Sequence, residues 1–172
     1  MQHISLPASQ EELSALKAGD KVLLSGVIFT GRDAAHMRLM EMIGRGQPLP
    51  FEINAIYYTG PCPASNGRAI GSCGPTTSSR MDRYTPALIE RGLNVMIGKG
   101  ERSNSVIKAM IDYGAVYFAA VGGAGALLSE CVLSCEAVAF PDLGSEAIYR
   151  LEITDFPVIL AIDSRGKSIY KR

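Results

Sequence analysis

Four hydroxyl side chains, Thr76, Thr77, Ser78 and Ser79, stand in a row between a Gly74-Pro75 turn and Arg80. Such a run makes a poor strand core and a poor helix interior, because Ser and Thr side chains compete for nearby backbone groups. What it does offer is hydroxyls, backbone N–H groups and a guanidinium in one place, which suits a small, oxygen-rich ligand. Arginine is fitted to bidentate recognition of a carboxylate, and flanking hydroxyls add donors and acceptors. A threonine hydroxyl is a weak base unless something depresses its pKa or takes its proton.

A second charged group follows the strand-like run ending at Thr30-Gly31, where Arg32 and Asp33 open a helical pattern. Helix N-termini carry free N–H groups and favour anions. The plainer alternative is that Asp33 complements the helix dipole while Arg32 is solvated. His36, one turn further on, is one of two histidines, the other being His3 near the terminus. A lone histidine is more often a surface or internally bonded residue than a catalyst. Lys99 follows a short apolar strand and lies between Gly98 and Gly100, so its amine can emerge at a strand's carboxyl end, where open α/β sheets bind ligands. Nucleotide binding is a weak rival: GxxxxGK[ST] is absent, and Gly122-Gly123-Ala124-Gly125 lacks the dinucleotide spacing.

Four cysteines, Cys62, Cys73, Cys131 and Cys135, raise the question of a metal. Neither pair has the CxxC spacing of zinc sites, so they read as small, buried, reduced hydrophobes and no metal site is assigned. The chain has 172 residues, 47% hydrophobic and 20% charged, the balance of an ordinary globular domain, read here as one domain over 1–172. Lys+Arg and Asp+Glu are both 17, so no global field points to nucleic acid or an acidic membrane surface. The start, MQHISLPASQEEL, lacks the pattern of a signal peptide, and the longest apolar runs are too short or Gly-broken to span a bilayer. The expectation is a cytoplasmic protein without nucleic-acid or membrane partners.

The elements that must position these groups follow an α/β pattern. Strands are predicted at 21–29, 53–58, 94–98, 116–121, 136–140 and 158–163, with a short extended piece at 68–71. A helix over 32–44 carries Met37, Met40 and Ile43 on one side and a glycine stop. Thr85 and Pro86 are placed to start a second helix that Gly92 ends. Ser103 caps a third, whose stripe is Val106, Ile107, Met110 and Ile111 and whose stop is Gly114. Gly122 to Gly125 opens a small fourth helix. Polar residues 7–20 end in a Gly-Asp turn.

The run GPTTSSRMDRYTPALIERGLNVMIGKG at 74–100 resembles the signature of the β subunit, or C-terminal domain, of iron–sulfur-dependent hydro-lyases, the class I fumarases and L(+)-tartrate dehydratases. The likeness extends to GRDAAHMR at 31–38, IYYTGP at 56–61, VYFAAVGGAGALL at 116–128 and DLGSEAIYRLEITDFPVILAIDSRG at 142–166, nearly the whole chain. Ser79, where the family often has glycine or alanine, and Cys62, where small residues are usual, are departures that alter no polar group assigned below.

The resemblance implies a three-layer β/β/α swivelling domain and reversible hydration of a dicarboxylate, with fumarate/malate ahead of tartrate/oxaloacetate. It implies a [4Fe–4S] cluster held by cysteines of a partner α subunit, so that this chain carries half of an active site and is inactive alone. By the same resemblance Thr76 matches the catalytic base. Arg32 and Arg80 match the carboxylate clamps, Lys99 and Thr77 lie beside the substrate, and Asp33 and His36 belong to the neighbourhood. A homodimer or a dimer of αβ pairs is the assembly it suggests. The alternatives in a different class are a free-standing carboxylate-binding domain and a structural subunit with a vestigial site.

Overall fold

Short apolar runs without alternation are what strands buried on both faces require, and three of them form the centre of the molecule. In the computed structural model, which describes residues 1–64, 67–120 and 125–170, they are β3 (Ala55–Tyr57), β4 (Val95–Gly98) and β5 (Val116–Ala120). Around them lie β1 (Gln2–Leu6), β2 (Lys21–Thr30), β6 (Val132–Ala139) and β7 (Ile148–Ile162). The seven strands order β1-β2-β3-β4-β5-β7-β6, and β2 also pairs with β7. That extra pairing closes β2, β3, β4, β5 and β7 into a five-strand, barrel-like ring. Strands β1 to β5 pair in parallel, whereas β7 runs antiparallel to β2, β5 and β6.

Side-chain alternation on the central strands divides the interior into two cores. Tyr57, Val95, Ile97, Val116 and Phe118 point into the first, inside the closed sheet, with Leu24, Phe156 and Leu160. Ile56, Tyr58, Met96 and Tyr117 point into the second, against the helices. The helices are α1 (Gln10–Ser14), α2 (Asp33–Gly44), α3 (Thr85–Glu90), α4 (Asn104–Tyr113) and α5 (Gly125–Ser129). A six-residue helix such as α3 cannot stand alone; burial of Leu88 and Ile89 holds it to the sheet. The α/β class predicted above is thus observed.

Several local expectations are corrected. Helix α2 turns Ala35, His36 and Leu39 inward and leaves Met37 half exposed, because the His36 ring packs against Tyr58 and Tyr84. Thr85 does not cap α3: the N-cap is Tyr84, and the Thr85 hydroxyl donates back to the Met81 carbonyl at 2.8 Å. On α4 the Ser103 cap and the Gly114 stop stand as predicted, but Ala109 is buried in place of Ile111. Residues 68–71 form no strand. Of the cysteines only Cys73 is buried, and Cys62 is exposed. Residues 121–124 lie outside the described part, so of the expected Gly-rich opening only Gly125 is seen, starting α5. No helix among the described residues is long and apolar enough to cross a membrane.

Candidate functional site

The parallel strands deliver the predicted groups to one edge. Arg32 and Asp33 follow β2, Thr59 and Gly60 follow β3, and Lys99 follows β4. The hydroxyl loop lies along these ends: Thr76 N–H donates to the Tyr58 carbonyl at 2.7 Å, and Ser78 N–H donates to the Lys99 carbonyl at 2.9 Å. A parallel bridge joins Thr77 to Lys99. Thr59 donates its hydroxyl to the Gly74 carbonyl at 2.8 Å, fixing the start of the loop. After Thr77 the chain tightens into a 3₁₀ turn, Ser78–Met81, which carries Arg80 to Asp33 for an ion pair. Thr76, Thr77, Arg80, Lys99, Arg32 and Asp33 therefore lie along one edge of the sheet, with Thr77, Arg80 and Lys99 exposed.

The groups on α2 are held more tightly than solvated charges would be. The Arg32 side chain lies across Gly60, where a Cβ would stand 2.9 Å from Arg32 Cδ and 3.0 Å from Nη1. Arg32 Nε and Asp33 Oδ1 are buried without a hydrogen-bond partner among the described residues, an arrangement that favours a ligand over bulk water. One N–H of the helix end is already engaged within the protein. Glu146 accepts from the Ala34 N–H at 3.2 Å, and the turn carrying it is tied to α2 by two Arg38–Asp142 bonds of 3.1 and 2.6 Å.

Beneath this edge lies a buried network whose centre, Arg102, was not predicted. Its Nε donates to Asp82 Oδ1 at 2.7 Å, and Nη2 donates to Tyr58 and Thr85 hydroxyls, both at 3.1 Å. The guanidinium also lies against the Tyr58 and Tyr117 rings, at 5.1 and 4.8 Å from their centroids. Burial draws its pKa down, but the Tyr58 hydroxyl and the Asp82 carboxylate outweigh it, and the net shift is upward. Asp82 Oδ2 accepts the Ser103 N–H at 2.7 Å. Ser78 Oγ shares a 2.7 Å bond with Tyr117 and accepts the Lys99 N–H at 3.0 Å. Loop, strand end and two helix starts are thereby locked to one another. Nothing periodic marks Arg102 in the sequence; the pairing is tertiary, across 20 residues.

Among the described residues no three His, Cys, Asp or Glu side chains converge to hold a metal ion. Burial pushes the Cys73 thiol up to about 12 and raises Cys131 and Cys135 as well, the opposite of what a thiolate ligand needs. A cavity of about 370 Å³ lined by Pro61, Cys62, Ile70, Cys135 and Tyr149 holds none of the predicted groups. The predicted charges lie instead along the strand ends.

An α/β domain that gathers arginine, lysine and hydroxyl side chains at the carboxyl ends of adjacent parallel strands is thus defined. Its sequence matches the family described as "Fumarase C-terminus" over residues 1–172, and the chain belongs to that family. It is 38% identical over 165 residues to the aerobic class I fumarate hydratase of Escherichia coli, covering 94% of this chain and 30% of that protein. Against fumarate hydratase 2 of Leishmania major it is 36% identical over 167 residues, covering 95% of this chain and 29% of the other. A Methanocaldococcus jannaschii chain provisionally named L(+)-tartrate dehydratase subunit beta is 38% identical over 179 residues, covering 99% of this chain and 92% of its own length. The chain therefore spans about three-tenths of the fumarate hydratases it matches and nearly all of the β-subunit relative.

Proposed function

We propose that the chain is the β subunit of a two-chain hydro-lyase that reversibly hydrates a small dicarboxylate, with fumarate and malate as the leading pair. The carrying observation is the convergence of Arg32, Arg80, Lys99 and Thr76 on one strand edge, in a family whose relatives include fumarate hydratases. The relative of matching length carries a β-subunit name, which supports the two-chain organisation and keeps L(+)-tartrate as the second substrate. The closed sheet with helices packed on its second core is compatible with a β/β/α swivelling domain. A cytoplasmic location rests on the sequence alone.

The residues of this chain divide the labour. Arg32 and Arg80 clamp the substrate carboxylates and stabilise the negative charge that builds as a proton leaves the neighbouring carbon. Arg80 spends Nη2 on Asp33, which presets its plane and leaves Nε and Nη1 donors for a carboxylate. Lys99 adds a mobile positive charge, with Thr77 beside it. Thr76 moves the carbon-bound proton. It is half-buried, and its side chain makes no hydrogen bond among the described residues, so an acidic group of the partner must help it. The [4Fe–4S] cluster, for which the described residues offer no ligand set, belongs on the α subunit, where it would act as Lewis acid on the departing hydroxyl.

The test is anaerobic co-expression with an α-like chain, followed by assay of fumarate, mesaconate and tartrate. Turnover in the pair and in neither chain alone is the expected result. Full turnover by this chain free of iron would overturn the half-site reading. Silence of a pair with an intact cluster would turn the reading toward a carboxylate-binding domain.

A further inference from the structure

His36 is buried completely, and no step above uses it. Its Nδ1 lies 2.8 Å from the carbonyl oxygen of Arg32. A carbonyl only accepts, so Nδ1 carries the hydrogen and, in the neutral ring, Nε2 is bare. Nε2 is itself buried without a hydrogen-bond partner among the described residues. The Arg32 carbonyl already accepts the backbone N–H of His36 at 3.0 Å. One oxygen at the exit of β2 is thus held twice by the same residue.

The ring is fixed on its other sides as well. Its centroid lies 5.7 Å from each of Tyr58 and Tyr84. A Cβ on Gly31 would come within 3.2 Å of Cε1 and 3.6 Å of Nδ1, so this glycine lets the backbone before Arg32 lie against the imidazole. Tyr58 is also the residue whose carbonyl holds Thr76 and whose hydroxyl receives Arg102. His36 therefore connects the Arg32 backbone to the network under the Thr76 loop.

We propose that His36 is a positioning residue for Arg32: its Nδ1–H bond to the Arg32 carbonyl sets the direction in which the guanidinium leaves the end of β2. The inference rests on the reading of Arg32 as a carboxylate clamp. A neutral ring suits this place. Burial holds its pKa at about 4, with the Arg32 carbonyl bond opposing that fall, the Arg102 guanidinium adding to it and the Asp33 carboxylate opposing it. The charged groups that bear on the ring are thus Arg102 and Asp33, and its ring neighbours are the phenols of Tyr58 and Tyr84.

Two measurements test this. The chain has only two histidines, so ¹⁵N imidazole spectra contain two rings, and one is expected to be Nδ1-protonated and to stay neutral at pH 5.5. A buried ring protonated at Nε2 overturns the proposal whatever the enzyme does. In the reconstituted pair, His36→Phe keeps the aromatic packing, whereas His36→Asn restores an N–H near the Nδ1 position. Phe is expected to raise KM and lower kcat/KM about tenfold, the factor an ordinary hydrogen bond carries, at an unchanged thermal midpoint. Asn is expected to recover most of that loss. Full activity of the Phe variant, or an Asn variant no better than Phe, overturns the positioning role. An inactive wild-type pair would instead count against the functional reading, and the tautomer would still decide the local bond.

Discussion

Arg102 and Arg80 lie on the same side of the same sheet and meet opposite surroundings. The Arg102 side chain is fully buried, and its nitrogens are matched by Asp82, Tyr58, Thr85 and the Met96 sulfur. Arg80 is half exposed, and among the described residues its one partner, Asp33, itself keeps an unpartnered buried oxygen. A guanidinium buried with a partner on every nitrogen supports structure. One with donors left over at an exposed edge can still bind something. The ledger of hydrogen bonds, more than residue type or charge, separates scaffold from site in this chain.

The comparison breaks first at Arg102. Arg102→Ala leaves the Asp82 carboxylate buried and unpaired, and should lower stability by about 3–5 kcal/mol, measured as a fall in the denaturant midpoint of the chain. A loss under about 1 kcal/mol would mean that the pair acts like a surface ion pair and the pillar is misread.

Acid titration is the next test. His36 has its folded pKa lowered from 6.5 to about 4, so between those values the unfolded chain binds the extra proton. Its contribution is present above pH 6.5 and is lost as the pH falls toward 4, by about 3 kcal/mol in total. The slope of stability against pH near 5 should flatten in His36→Asn; an unchanged slope would assign the acid sensitivity elsewhere. A smaller effect is expected at Ser78→Ala, which leaves the Lys99 N–H and the Tyr117 hydroxyl each short of a partner. We expect about 1–3 kcal/mol from equilibrium unfolding, and no change there would loosen the claimed link between loop and strand end.

Much of this arrangement was legible before any coordinates. The apolar runs of β3, β4 and β5, the Ser103 cap and the Gly114 stop follow local rules, and the structure keeps them. The candidate groups stand out in the sequence because strand ends and a Gly-Pro turn carry them. What escaped depends on distant partners. Strand β7 is predicted only over its last third; Pro157 within it pairs with Leu23, just after Asp155 adopts a left-handed φ of 47°. The inward face of α2 was misjudged because Met37 is more apolar than His36, and only the packing against Tyr58 and Tyr84 makes a histidine the better fit. Arg102 could not be told from a solvated charge, for its burial depends on Asp82 and two tyrosines from other elements.

Kinetics and unfolding of Arg80→Ala in the reconstituted pair test the central claim most directly. A clamp should lose about 2–5 kcal/mol of transition-state binding, roughly 30-fold or more in kcat/KM, while the unfolding midpoint stays within the range of a surface substitution. Unchanged kinetics, or a stability loss as large as that of Arg102→Ala, would contradict the division between a saturated scaffold and an unsaturated site.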